Sequence, residues 1–134
     1  MKDFNVKFGI IGIDHRHVYT QAQFLIELGA ELVGWCTKGL PTTLVGFTKR
    51  YPKAKRVTDP RSLLEDPDIQ VILTSAIPSE RAKISISAMK HGKDVMSDKP
   101  GCLSLGDLKE LRQTVQQTGR IWSVDFSERF EVPA

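Results

Sequence analysis

Cysteine is scarce in this 134-residue chain: only Cys36 and Cys102 are present, far apart and without metal-ligand neighbours in sequence. That excludes a disulfide framework, and the two thiols read as small buried or half-buried side chains in a reducing compartment. Long hydrophobic runs are missing too. The apolar stretch in MKDFNVKFGIIGI is short and gives way to Asp14, His15, Arg16 and His17, so it is neither a signal peptide nor a spanning helix, and the expected setting is the cytoplasm with no membrane partner. An excess of one charge is also lacking, since 19 basic and 16 acidic residues are dispersed to a net +3. Nucleic acid is therefore not an expected partner, and a neutral small molecule fits better. Internal repeats, low-complexity tracts and long linkers do not occur.

Apolar runs alternate with amphipathic stretches, the pattern of a doubly wound, mainly parallel sheet covered by helices on both faces. Six strands are predicted, over residues 6–13, 31–35, 55–58, 70–74, 93–97 and 120–124. The first helix runs from Val18 to Leu28 with Val18, Ala22, Leu25 and Ile26 on one face, and a glycine stops it. Pro41 is placed in the first turn of a second helix that Pro52 ends. Asp59 and Pro60 open a brief helix through RSLLED, Ser79 caps the next, and Ser104 caps a long last helix with Leu105, Leu108, Leu111 and Val115 on one stripe and Gly119 at its end. The count and length describe a single α/β domain of Rossmann type.

The turn after the first strand is where such a fold receives a phosphate, because glycine permits a tight reversal and the next helix offers free amides at its positive end. Gly12 fills the first position of G-x-G-x-x-G, but Asp14 and His17 stand where glycine or a small residue is expected. Asp14 sets a carboxylate against an incoming diphosphate unless it turns back to cap the helix or Arg16 and His17 offset its charge. Asp14, His15 and His17, an acid and two imidazoles within four residues, could also be read as a metal cluster. No third histidine besides His91 exists to complete that set, so no metal is expected, and a cofactor or substrate contact is the preferred reading.

Further along, HGKDVMSDKP resembles the A-G-K-H-V-x-x-E-K-P signature of the glucose-fructose oxidoreductase, inositol dehydrogenase and rhizopine catabolism protein (Gfo/Idh/MocA) family. The resemblance extends through FGIIGI, LLEDPDIQVILTSA and VDFSERF, nearly the whole chain. It implies a Rossmann domain that binds NAD or NADP and, joined to a substrate domain not contained in this chain, oxidises or reduces a sugar, inositol or related polyol. Carried over, E-K-P falls on Asp98, Lys99 and Pro100. Lys99 is the implied catalytic residue, an ammonium that hydrogen-bonds the reacting oxygen and supports proton transfer, with Pro100 holding the turn.

The remaining cofactor contacts expected are Gly12, Ile13, Asp14, His15 and His17 in the first turn, Thr37 and Lys38 after the second strand, Thr74 and Ser75 after the fourth, and Asp98 to Pro100. With no acid at the end of the second strand and with Thr37 and Lys38 able to donate to a 2′-phosphate, NADP is favoured over NAD. Arg81 takes the place of the family's histidine after strand four. The alternative to an oxidoreductase domain is a non-catalytic binding or regulatory module that keeps the fold and has little dinucleotide affinity. Family members commonly associate, so a homo-oligomer is also among the expectations.

Overall fold

The computed structural model describes residues 5–126. The chain runs β1 (Lys7–Ile11), α1 (His17–Glu27), β2 (Glu31–Cys36), α2 (Leu44–Arg50), β3 (Lys55–Arg56), α3 (Arg61–Leu64), β4 (Val71–Thr74), α4 (Pro78–Lys90), β5 (Asp94–Asp98), α5 (Leu105–Thr118) and β6 (Trp122–Asp125). The strands form one sheet in the order β3-β2-β1-β4-β5-β6, every neighbouring pair parallel. The predicted architecture is therefore the observed one, all-parallel among the described residues. Chain order reverses between β1 and β4, so their connections leave in opposite directions and open a crevice beyond the carboxyl ends.

Because side chains alternate across a strand, the inner strands β1, β2 and β4 feed two cores. Phe8, Ile10, Trp35 and Leu73 join Val18 and Ala22 of α1 and Phe47 of α2 on one side. Ile11, Cys36, Ile72 and Val95 join Leu63 and Leu64 of α3, Ala82, Ile86 and Met89 of α4, and Leu111 of α5 on the other. Each fully buried large apolar side chain here contributes roughly 1.5–3 kcal/mol, which is what holds short strands with modest intrinsic preference in place.

Several boundaries differ from the sequence expectation. β1 stops at Ile11 rather than residue 13, because Gly12 turns the chain with a φ of +90°. α2 begins at Leu44, and Pro41 instead sits in a preceding turn closed by the Leu44 amide on the Pro41 carbonyl. α4 starts one residue before Ser79, with Ile77 at the N-cap and Pro78 in the first turn, where a missing N–H costs nothing. In α5 the stripe begins later than expected: Leu111 is buried, whereas Leu105 is 84% exposed. The Ser104 cap is present, its hydroxyl accepting the Asp107 amide at 3.0 Å. Residues 127–130 of the VDFSERF match lie outside the described residues.

Candidate functional site

The carboxyl ends of β1, β2 and β4 border a cleft of about 350 Å³ whose walls include Ile11, Gly12, Asp14, Cys36, Thr37 and Lys38. Leu64, Ala76, Ile77, Glu80 and Ile84 complete its mostly apolar far side. Gly12 makes the close approach that shapes it: a Cβ there would lie 2.4 Å from the Ala76 Cβ. The Gly12 amide donates to the Cys36 carbonyl at 2.8 Å, and its own carbonyl accepts the Ser75 amide at 3.0 Å. One glycine thus ties β1 to the ends of both β2 and β4.

The first turn offers fewer amides than the sequence predicts. Those of Gly12, Ile13, His15 and His17 already have protein acceptors, namely the Cys36 carbonyl, Thr37 Oγ1, the Ser75 carbonyl and His15 Nδ1. Nor does Asp14 cap α1. The N-cap is Arg16 in helical conformation with no side chain accepting a hydrogen bond, and Asp14 faces the cleft instead. The charged group that feels the Asp14 carboxylate is Arg81, a residue from α4.

A second correction concerns charge at the end of β2. Lys38 Nζ donates to Glu80 Oε1 at 2.8 Å, and Lys83 Nζ lies 4.0 Å from the other carboxylate oxygen. The sequence expectation placed no acid near Lys38, yet α4 brings one into the same cleft. The hydrogen bond between them holds the Lys38 ammonium above and the Glu80 carboxyl below their usual ranges. Thr37 remains beside the cleft, its hydroxyl facing the Ile13 amide at 3.4 Å.

Thr74 and Ser75 are fully buried, so their side chains are not brought to the cleft as expected. The Ser75 hydroxyl donates to Gln21 Oε1 at 2.8 Å, and Thr74 Oγ1 faces the Ala76 amide at 3.3 Å. Ser75 acts through its backbone, holding the His15 amide at 2.9 Å.

Asp98, Lys99 and Pro100 end β5 on the same rim, with the Lys99–Pro100 peptide cis. Lys99 is half-buried, whereas Asp98 is only 1% exposed and its carboxylate organises the turn. Oδ1 accepts His17 Nδ1 at 3.0 Å and the Lys99 amide at 2.8 Å. Oδ2 lies 3.5 Å from His15 Nδ1, 3.5 Å from Ser75 Oγ and 3.6 Å from an Arg81 nitrogen. Arg81 itself is 2% exposed. Its Nε donates to the Ala76 carbonyl at 2.7 Å and a terminal nitrogen to the Lys99 and Pro100 carbonyls at 2.7 and 3.2 Å. Burial lowers its affinity for the proton from the ordinary value, with Asp98 and Asp14 opposing. Burial also lowers the His15 imidazole, and neighbouring His17 adds to that.

Of the residues chosen from the sequence, Gly12, Asp14, Thr37 and Lys38 line the cleft, and His15, His17 and Asp98 converge beside it. Gln21 and Glu80 were not among the expected site residues, and Arg81 was noted only as standing where the family's histidine would be; all three sit on helices, α1 and α4, where a polar side chain looks like ordinary surface. Asp98 joins the two imidazoles across more than eighty residues, where the sequence had considered only Asp14.

A model of an oxidoreductase family, the NAD-binding Rossmann fold of the Gfo/Idh/MocA group, matches residues 6–126. Among curated proteins, the chain is 36% identical over 73 residues to the scyllo-inositol 2-dehydrogenase (NAD⁺) of Bacillus subtilis, covering 54% of this chain and 21% of that protein. It is 24% identical over 127 residues to the inositol 2-dehydrogenase of Salmonella typhimurium, covering 94% and 37%. A crystal structure from Erwinia carotovora atroseptica, described as a candidate oxidoreductase, superposes with a TM-score of 0.89 at 31% identity over 92% of this chain and 37% of that one. The chain therefore spans little more than a third of the length of these relatives, or less. No helix among the described residues is long and apolar enough to cross a membrane.

Proposed function

The chain belongs to the Gfo/Idh/MocA oxidoreductase family as its NAD-binding Rossmann domain, and from that premise we propose that it is the cofactor half of an enzyme moving hydride between NAD(P) and a sugar, inositol or related polyol. The observation that carries the reading is the meeting of the Asp98–Lys99–Pro100 turn with the β1–α1 turn at the strand-order reversal, beside a cleft apolar on one wall and polar on the other. A nucleotide fits these residues: Leu64, Ile77 and Ile84 offer apolar surface for a base, and Thr37 and Lys38 offer donors for a ribose.

When bound, the nicotinamide would accept or supply the hydride. The protein's own part is orientation and proton handling. Asp98 anchors the turn through the Lys99 amide, and Arg81 clamps the Lys99 and Pro100 carbonyls, so the lysine leaves a rigid base. In this reading the Lys99 side chain hydrogen-bonds the reacting oxygen: as the neutral amine it takes the proton when the alcohol becomes a carbonyl, and as the resulting ammonium it returns that proton in reverse. The polyol class rests on the inositol dehydrogenases among the relatives. A partner domain bringing substrate to the rim, a cytoplasmic setting and self-association belong to the same proposal.

Following nicotinamide fluorescence while titrating the chain with NADPH and with NADH tests the reading. Saturable binding of at least one is expected; silence with both, in a sample shown to be folded, overturns it in favour of a module that kept the fold alone. NADP is the preferred cofactor in this proposal only if its 2′-phosphate displaces Glu80 from Lys38. Lys38→Asp should then weaken NADPH about tenfold or more while sparing NADH, and Glu80→Gln should strengthen NADPH. Equal effects on both cofactors would remove the preference.

A further inference from the structure

We propose that His15, His17 and Asp98 form a binding site for a divalent cation of the zinc class. Among the described residues, they are a set of three ligand-bearing side chains whose donor atoms, one from each, lie within 4.8 Å of one another. The carboxylate lies 3.0 Å from His17 Nδ1 and 3.5 Å from His15 Nδ1, and the two rings stand 4.1 Å apart between centroids.

The scaffold is stiff where a metal needs it to be. The two imidazoles come from positions two apart, His15 in the β1–α1 turn and His17 at the start of α1, and the carboxylate from the end of β5, fixed by the Lys99 amide. Asp98 is buried at 1% exposure, whereas His15 and His17 are 46% and 35% exposed, so a hydrated ion can reach the set from solvent while its anionic member stays anchored. Around it, Ser75 and Arg81 approach the carboxylate at 3.5 and 3.6 Å, and the Arg81 donors are otherwise directed at backbone carbonyls. Supporting groups of this kind orient a metal ligand.

Hydrogen bonding alone leaves one contact awkward. His15 Nδ1 accepts the His17 amide at 3.1 Å and therefore carries its lone pair in that form, yet it also faces the carboxylate oxygen at 3.5 Å. Two acceptors side by side repel, and a cation between them turns the repulsion into coordination, the imidazole exchanging the amide for the metal. Two imidazole nitrogens and one carboxylate oxygen suit Zn²⁺ or Co²⁺; calcium and magnesium ask for a shell of oxygens instead. Three protein ligands leave a fourth tetrahedral position for water or a substrate oxygen. The nearby Arg81 charge sets the affinity below that of a closed structural zinc site.

This proposal stands apart from the cofactor reading and is tested without turnover. The metal-stripped full chain is titrated with ZnCl₂ by calorimetry, and with CoCl₂ while recording the visible d–d absorption. One equivalent of each, with the intense band of four-coordinate cobalt, is expected. His17→Ala and the double variant His15→Ala/His17→Ala, with folding verified by circular dichroism, should lose at least tenfold in affinity, and His91→Ala should lose none. A folded wild-type chain that takes up neither ion saturably, or a double variant that binds as well as wild type, would overturn the assignment. Loss of binding in His91→Ala would do the same by placing the ion elsewhere.

Discussion

Arg81 is a buried cation at the rim whose hydrogen bonds run to three backbone carbonyls. A guanidinium at 2% exposure has exchanged water for the Ala76, Lys99 and Pro100 carbonyls and the neighbouring Asp98 carboxylate. Replacing one member of such a group leaves a buried charge and several carbonyls without their donor, which costs far more than the pair's net worth. Arg81→Met should therefore lower unfolding stability by about 3 kcal/mol or more, read from urea denaturation. A loss under about 1 kcal/mol would mean that water or a shifted lysine takes over. None of this was legible in the sequence. Between Glu80 and Ala82 near the start of a helix, an arginine has no local signature of burial, and only the approach of β5 to α4 creates the need for it. The place of the Asp98–Lys99–Pro100 turn at a strand end was legible because its motif is local, whereas the Lys38–Glu80 pair spans 42 positions and defeated a charge argument confined to one strand end.

At the scale of elements, the last helix is the clearest case of local chemistry deciding structure. Ser104 in extended conformation accepts the Asp107 amide, and Gly119 closes the far end with a φ of +70°. Both signals were readable because capping depends on a few neighbouring residues. Ser104→Ala should cost about 1 kcal/mol, checked by thermal or chemical unfolding, with Ser104→Asp restoring most of it. Where the sequence misjudged an element, the boundary moved by a residue or a turn. α4 begins at Pro78, with Ile77 held out of helical conformation by the proline that follows it, and the α5 stripe is buried at Leu111 while Leu105 stays 84% exposed. β3 is two residues long, Lys55 and Arg56, paired only with β2 at the sheet edge.

The molecule as a whole was the most legible level. Near-continuous apolar strands alternating with amphipathic helices admit few architectures, and right-handed crossovers leave little choice of order. One global consequence concerns alkaline pH. Cys36 belongs to the core between the sheet and α3–α4, and burial, reinforced by Asp59, pushes its thiol from the ordinary value of 9.0 up to about 11. The folded chain then keeps a proton that the unfolded chain gives up, so this contribution to stability is complete below about pH 9 and is lost as pH rises through about 11. Comparing urea midpoints of wild type and Cys36→Ala across that window should show a steeper decline in wild type, on the order of 2–3 kcal/mol in total. Parallel slopes would show that the thiol's environment does not differ between the two states.

All six strands point the same way, which fixes where anything attached to this domain would sit. A dye, tag or fused protein joined ahead of β1 is anchored at the far pole, a full strand length from Asp98. One joined after β6 departs from the near pole, since Asp125 pairs directly with Asp98. Reporters meant to leave the crevice undisturbed therefore belong at the amino end, and a covering meant to shut it is best tethered at the other.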